Sequence, residues 1–325
     1  MKQHHFLAWA LSSPWAMQPE RMQAYAVALA RIYGAKLGGG TRPQAGDYRD
    51  DDDTVVQTPA PYAAVAAKSG SRASGATAVI PVLGTLMQRA ESFDLCEGGT
   101  AYSSISQALR AANADETIGS ILLDVDSPGG SVYGVAELAA EIRASAKPVV
   151  AMANSLAASA AYWLAASCTE CYVSPGGEVG SIGVWMAHED WSAAMEEAGV
   201  KTTLISAGKY KVEGNPFEPL AGDARDFLQS RTDEYYGAFC RDVAKGRKAS
   251  TDQVRAGMGQ GRVLGASQAK AEGMVDDILT FDDAVRRAQR LGQQHRSANP
   301  NGARRADHDQ RRTATALRLL ELDQG

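Results

Sequence analysis

The stretch PVVAMANSLAASAAYWLAAS, residues 148–167, decides the fold. Its first half, Val149 to Asn154, is a short apolar run behind a proline and reads as a buried strand. Its second half sets one hydroxyl, Ser159, in a run of alanines and large apolar side chains and reads as a helix. A helix with a wet face carries charge there, and this one carries none, so it packs against the sheet. Two readings of Ser159 remain open: a small residue filling a tight core, or a nucleophile that needs a proton acceptor.

Working outward, strand and helix patterns alternate. AVIPVLG (78–84) and SILLDVDSP (120–128) read as strands, the second continuous enough to be buried on both faces. VYGVAELAAEIRAS (132–145) places Val132, Val135, Leu138, Ala139 and Ile142 on one helical face. ECYVSP (170–175), IGVWMA (182–187) and TTLISAG (202–208) read as further strands, with a helix at WSAAMEEAG (191–199). From Ala224 to Arg247 runs a long amphipathic helix; STDQVRAG (250–257) begins with a good N-cap, and SQAKAEGMVDDI (267–278) closes the unit. This rhythm predicts an α/β domain over about 76–290 with a largely parallel sheet and covering helices. Before it, residues 1–37 read as a helical segment started at Ser13-Pro14, with Met22, Tyr25, Ala26 and Leu29 at helical spacing. Residues 38–75, which include the acidic run Asp50 to Asp53, read as a disordered linker, and 291–325 as a charged, flexible tail.

The chain has 325 residues, 45% of them apolar, and a net charge of −5, which gives no general reason to expect nucleic-acid binding. Basic residues cluster only from Arg286 onward. Four cysteines are few, and no secretory signal accompanies them. Cys168 and Cys171 are spaced like a metal or redox pair but have no second pair and no nearby histidine, so they read as buried small hydrophobes, and no metal or cofactor is expected. No segment reaches the roughly 18 apolar residues that span a bilayer, so no membrane anchor and a cytoplasmic setting are expected.

Three further features bear chemistry. DSPGG, Asp126 to Gly130, follows a buried strand and precedes a helix; its glycines let backbone N–H groups converge on an anion such as a tetrahedral oxyanion, although a plain turn explains them too. Of five histidines only His188 falls inside the domain, in VWMAHEDW, so it is the one histidine available to Ser159. A lysine can serve instead as a neutral amine, which desolvation favours. Lys209 and Lys211 in LISAGKYKVEGNPFEPL sit among apolar and aromatic side chains, and Ser181 in GEVGSIGV could orient such an amine or simply satisfy a turn.

DSPGG, LAASAAYWLAAS, GSIGVWMA and SAGKYKVEGNPF, in that order and spacing, resemble the Ser–Lys peptidases of the signal peptide peptidase A (protease IV) family over about residues 77–280. The sequence is most similar to the lambda-type phage prohead proteases, which share GSIGV-x-MAH and G-x-x-K-V-x-G-N-P; SSPWAMQPERM (12–22) also resembles their openings. The resemblance implies a crotonase/ClpP-like α/β fold. It also implies Ser159 as nucleophile, Lys211 as general base, Ser181 hydrogen-bonded to the lysine, and an oxyanion hole from the N–H of Gly129 or Gly130 with that of Ala160. Many members have glycine after the nucleophile, where this chain has Ala160 and Ala161. The small alanines would then let the helix start pack tightly while one face stays open to substrate. The implied activity is serine endopeptidase during phage capsid maturation, on scaffold, portal or capsid protein or on the chain itself, inside the assembling prohead. A peptide-clearing bacterial peptidase and a catalytically silent scaffold are the alternatives. Family members are homo-oligomers, commonly rings; here Phe227, Tyr235, Phe239 and Val243 offer a helix face for contact.

Overall fold

The computed structural model describes residues 15–17, 62–65, 75–89 and 99–298. Three long parallel strands carry it: β3 (Ala76–Leu83), β6 (Ile118–Ser127) and β8 (Val149–Ala158). β8 is bordered along its first half by β9 (Glu170–Val173) and along its second by β10 (Glu178–Gly180), both parallel to it. The edges are short: β2 (Ala63–Val65) antiparallel on β3, β11 (Val263–Gly265) antiparallel on β10, and β12 (Asp277–Ile278) parallel to β9.

The strands are apolar nearly throughout because alternate side chains enter two different cores. Ile121, Leu123 and Val125 of β6 and Val149, Ala151 and Ala153 of β8 join the larger core. Helices α1 (Tyr102–Ala114), α2 (Val135–Arg143), α3 (Ala160–Ala166) and α5 (Gly222–Gly246) cover that face. Leu122, Val150 and Met152 point the other way, onto Ala284, Val285 and Ala288 of α8 (Phe281–Ala298). The α/β class with a largely parallel sheet and covering helices is therefore as the sequence predicts. Above the C-terminal ends of β3 and β6 a second, small sheet runs β1 (Trp15–Met17), β7 (Gly129–Ser131), β4 (Leu86–Met87), β5 (Thr100–Ala101).

The remaining expected elements are mostly in place. α6 (Thr251–Ala256) starts with a full capping box between Ser250 and Gln253, and α7 (Ala266–Ala271) precedes β12. α4 (Ser192–Glu197) is present but buries nothing. IGVWMA and TTLISAG do not form strands; the strand in this region is β10, which ends at Gly180 (φ 134°) just before Ser181 (φ 55°), because backbone at positive φ leaves the extended region. Trp15–Met17 are a strand where a helix was expected to start, and β2 lies within the expected linker. Other parts of those two segments, and residues 299–325, fall outside the described residues. α8 runs eight residues past the expected domain end at 290, with Leu291 packed on the smaller core.

Candidate active site

Ser159 stands where β8 turns into α3, with φ 55° and ψ −119°. Its N–H donates to Gly180 O at 2.7 Å, its carbonyl accepts from Trp163 N at 2.9 Å, and its Oγ donates to Gly183 O at 3.4 Å. Ser181 also has φ 55°, and its N–H donates to Arg262 O at 2.8 Å. Ala158 pairs with Gly180 in parallel register, so the two serines are the next residues on neighbouring strands. Side chains other than glycine occupy such backbone at a cost, and the cost is met where surrounding structure over-determines it. The strain falls on Ser159 itself; Ala160 and Ala161 take ordinary helical places after it.

Gly129 and Gly130 lie at the same end of the sheet. Ser127 of β6 pairs with Ala157 of β8, so Gly129 and Ser159 each lie two residues past a paired position. Ser127 Oγ accepts the Gly129 N–H at 3.2 Å and donates to Gly84 O at 2.6 Å, which ties the loop to the end of β3. A Cβ on Gly130 would stand 1.8 Å from Leu86 O, so only glycine allows β7 to lie this close to β4. The fold thus gathers Gly129, Gly130, Ser159, Ala160 and Ser181 at one sheet end. A hydroxyl on a strained strand-to-helix turn beside backbone N–H groups is suited to acyl transfer.

The lysine is not gathered with them. Lys211 is exposed, in a run of turns where its N–H donates to Gly208 O at 3.1 Å. Lys209 lies over the Tyr210 ring at 4.6 Å, a surface cation–π contact. His188 does not reach Ser159 either: its Nε2 donates to Asn215 O at 3.1 Å and, with Trp191 N–H on Pro216 O at 2.8 Å, stitches the segment 185–221 to itself. This arm exposes Trp191, Val200, Leu204, Ile205, Tyr210 and Phe217, with Ile205 96% exposed. By contrast Phe239 and Val243 of α5, expected on a contact face, are buried inside the chain, and Tyr235 meets Tyr133 edge to face; Phe227 alone of the four is exposed.

How α3 is held is the part of the site that sequence patterns missed. All seven residues of α3 are buried. Trp163 stacks on Phe239 of α5 (4.5 Å, 7°), and its indole N–H donates to Asp242 Oδ2 at 3.0 Å. Asp242 also pairs with Arg143 at 3.1 Å, whose other nitrogen donates to Ser167 Oγ at 2.8 Å. Tyr162 O–H donates to Met274 O at 2.8 Å, and a Cβ on Gly246 would lie 1.7 Å from Ala166 O. The available signal was the Trp163 indole N–H in an otherwise apolar run, which had to find an acceptor. The face expected to stay open at Ser159 is closed: the residue is 1% exposed. Cys168 and Cys171 are buried thiols, and burial pushes Cys171 up to about 12. No cluster of metal-binding side chains occurs among the described residues.

Residues 141–295, which include Ser159, Ser181 and Lys211, match the model of peptidase family S49. The chain is similar to that family over this stretch. It is 33% identical over 290 residues to capsid assembly protease C of Escherichia phage lambda, covering 86% of this chain and 64% of that protein. It is 34% identical over 286 residues to the head-tail preconnector protein GP5 of Enterobacteria phage P21, covering 86% and 56%. The chain therefore spans under two thirds of these relatives' length. Among solved structures, a mutant ClpP1 from Listeria monocytogenes aligns with a TM-score of 0.42 and 15% identity over 64% of this chain and 94% of that one.

Proposed function

We propose that the chain is a serine endopeptidase working through a Ser–Lys dyad. Ser159 Oγ attacks the scissile carbonyl, the Lys211 amine takes its proton, and Ser181 hydrogen-bonds that amine. The N–H groups of Gly129 or Gly130 and of Ala160 receive the oxyanion. One observation carries this assignment: Ser159 sits at φ 55° on the β8–α3 turn, level with the glycine loop and beside a second serine of the same backbone geometry.

Lys211 joins the site when the 185–221 arm is packed. Its six exposed large apolar residues form a surface of the kind that protein–protein contacts cover, and a second copy of the chain is the partner we assign to it. The relatives named for capsid assembly and head–tail preconnection support substrates among capsid, portal and scaffold proteins, with the chain itself included, and action in the host cytoplasm within the assembling prohead. No helix among the described residues is long and apolar enough to cross a membrane.

The test is mass spectrometry of the protein co-expressed with its capsid and portal partners, native against Ser159→Ala. Cleavage confined to the native protein is expected. Undiminished cleavage by a folded Ser159→Ala protein sinks the nucleophile assignment, and absence of any cleavage by the native protein leaves the silent-scaffold alternative.

A further inference from the structure

The small sheet repeats the order of the large one. β4 follows β3 after a two-residue break, and β7 follows β6 after Pro128, so β4 and β7 extend the β3–β6 pair. In the large sheet the next strand is β8. It has no such extension, because at Ser159 the chain turns into α3. β4 takes the edge of β7 on the β3 side, which leaves the edge on the β8 side, the side on which Ser159 ends its strand. Trp15–Met17 fill that edge. They run antiparallel to β7, with Trp15 opposite Ser131, Ala16 opposite Gly130 and Met17 opposite Gly129.

This edge is where a peptide under attack has to lie. For its carbonyl to meet both Ser159 Oγ and the glycine-loop N–H groups, a substrate must pass along Gly129–Ser131. An extended peptide does so most simply by adding a strand to β7. Two strands cannot share one edge, and Ser159 is already closed to solvent at 1% exposure. The rest of the Gly129–Ser131 strand is taken up by β4 on its other side.

We infer that Trp15–Met17 is an intramolecular competitor for substrate, occupying the β7 edge on which an extended peptide pairs during cleavage. The inference rests on the peptidase assignment for the meaning of that edge, but the docking itself can be measured without catalysis. A tethered segment acts at an effective concentration on the order of 1 mM. Substrate therefore binds more weakly by the factor by which that concentration exceeds the segment's own Kd, and we expect about tenfold.

The test uses the full chain with Ala16→Pro and Met17→Pro as single substitutions. Consecutive N–H groups of a strand point to opposite edges, and proline removes one of them. One variant therefore breaks the pairing with β7, and the other loses only an N–H on the edge that pairs with no strand among the described residues, where proline is tolerated. On a Ser159→Ala background, a fluorescein-labelled peptide of residues 11–21 is titrated and followed by anisotropy. On the Ser159 background, KM and kcat are measured on fluorescent casein. One of the two variants is expected to bind the peptide about tenfold more tightly than its parent, and to lower KM by a similar factor at unchanged kcat. If neither variant gains affinity or lowers KM, β1 is a fixed part of the sheet and the inference fails. Gained peptide binding without Ser159-dependent casein cleavage keeps the docking and rejects the peptidase assignment. Ser159-dependent cleavage with peptide binding unmoved by either proline does the reverse.

Discussion

Replacing Asp242 with alanine removes the acceptor that fixes α3 and with it the backbone of Ser159. Asp242 lies on α5, 8% exposed, and takes the Trp163 indole N–H at 3.0 Å and Arg143 at 3.1 Å. Trp163 is 1% exposed, so its N–H has no water to turn to; a buried donor left unpaired costs about 2 kcal/mol. Arg143 loses its carboxylate but keeps Ser167 Oγ, and with a side chain 25% exposed the loss is held to about 1 kcal/mol. The expected destabilisation of Asp242→Ala is therefore about 3 kcal/mol. Asp242→Asn keeps an oxygen for the indole and forgoes only the charge, so it should cost about 1 kcal/mol. Urea unfolding followed by tryptophan fluorescence measures both, with a shifted midpoint at unchanged slope. An Asp242→Ala midpoint within about 0.5 kcal/mol of the native one would refute the anchoring role, as would an asparagine variant as unstable as the alanine one.

Lys211→Met should eliminate cleavage while Lys209→Ala retains most of it, since Lys209 is engaged with the Tyr210 ring at the surface; kinetic assays on the two, each checked by circular dichroism, decide, and the opposite order moves the base two residues upstream. Gly130→Ala should abolish activity and lower the thermal midpoint, because its Cβ would stand 1.8 Å from Leu86 O and push β7 from β4; a fully active variant would remove Gly130 from the oxyanion loop. Burial brings Lys147 down from its ordinary 10.5 to about 8. The folded state then sheds this proton near pH 8 and the unfolded state near 10.5, so between these values the unfolded chain binds more protons and stability rises with pH. Native protein should therefore gain stability relative to Lys147→Met across that window in pH-dependent urea titrations; a constant difference refutes the shift.

Elements whose own residues carry a long apolar pattern were legible in the sequence: β3, β6, α2, β9, α5 and α6 appear where their periodicity places them, and β8 and α3 do so except that the strand runs on from Asn154 to Ala158 and the helix begins only after Ser159. Short edge strands were not. β1 and β2 owe their existence to partners far along the chain, Gly129–Ser131 and Thr77–Val79, and three residues contain no usable period. The TTLISAG run has the β-branched alternation of a strand, yet an extended segment becomes a strand only beside another, and Ile205 has none among the described residues. The stripe on α5 showed the opposite ambiguity: Tyr235, Phe239 and Val243 mark a face to be covered, but a stripe does not say whether α3 or another molecule covers it.

Within the site the same division holds. Gly129, Gly130, Ser159 and Ser181 could be read because each lies just past a strand, and parallel register brings strand ends together without side-chain contacts. A lysine base follows no such rule. Burial alone would select Lys147, which is half-buried with its proton affinity lowered, yet it caps α1 by donating to Ala112 O at 2.7 Å and Asp115 O at 2.5 Å. It lies at the start of β8, roughly 30 Å along the strand from Ser159. Lys211 has the right neighbours in sequence and the wrong ones in space, on an arm whose apolar side chains face outward. A base needs a dry setting to act as a neutral amine, and this arm dries only when its apolar face is covered. If Lys211 is the base we propose, covering the arm and completing the dyad are one event. Cleavage should accordingly depend on protein concentration through assembly, with specific activity rising in step with the oligomer fraction measured by light scattering; full activity in a dilute monomer would separate the two.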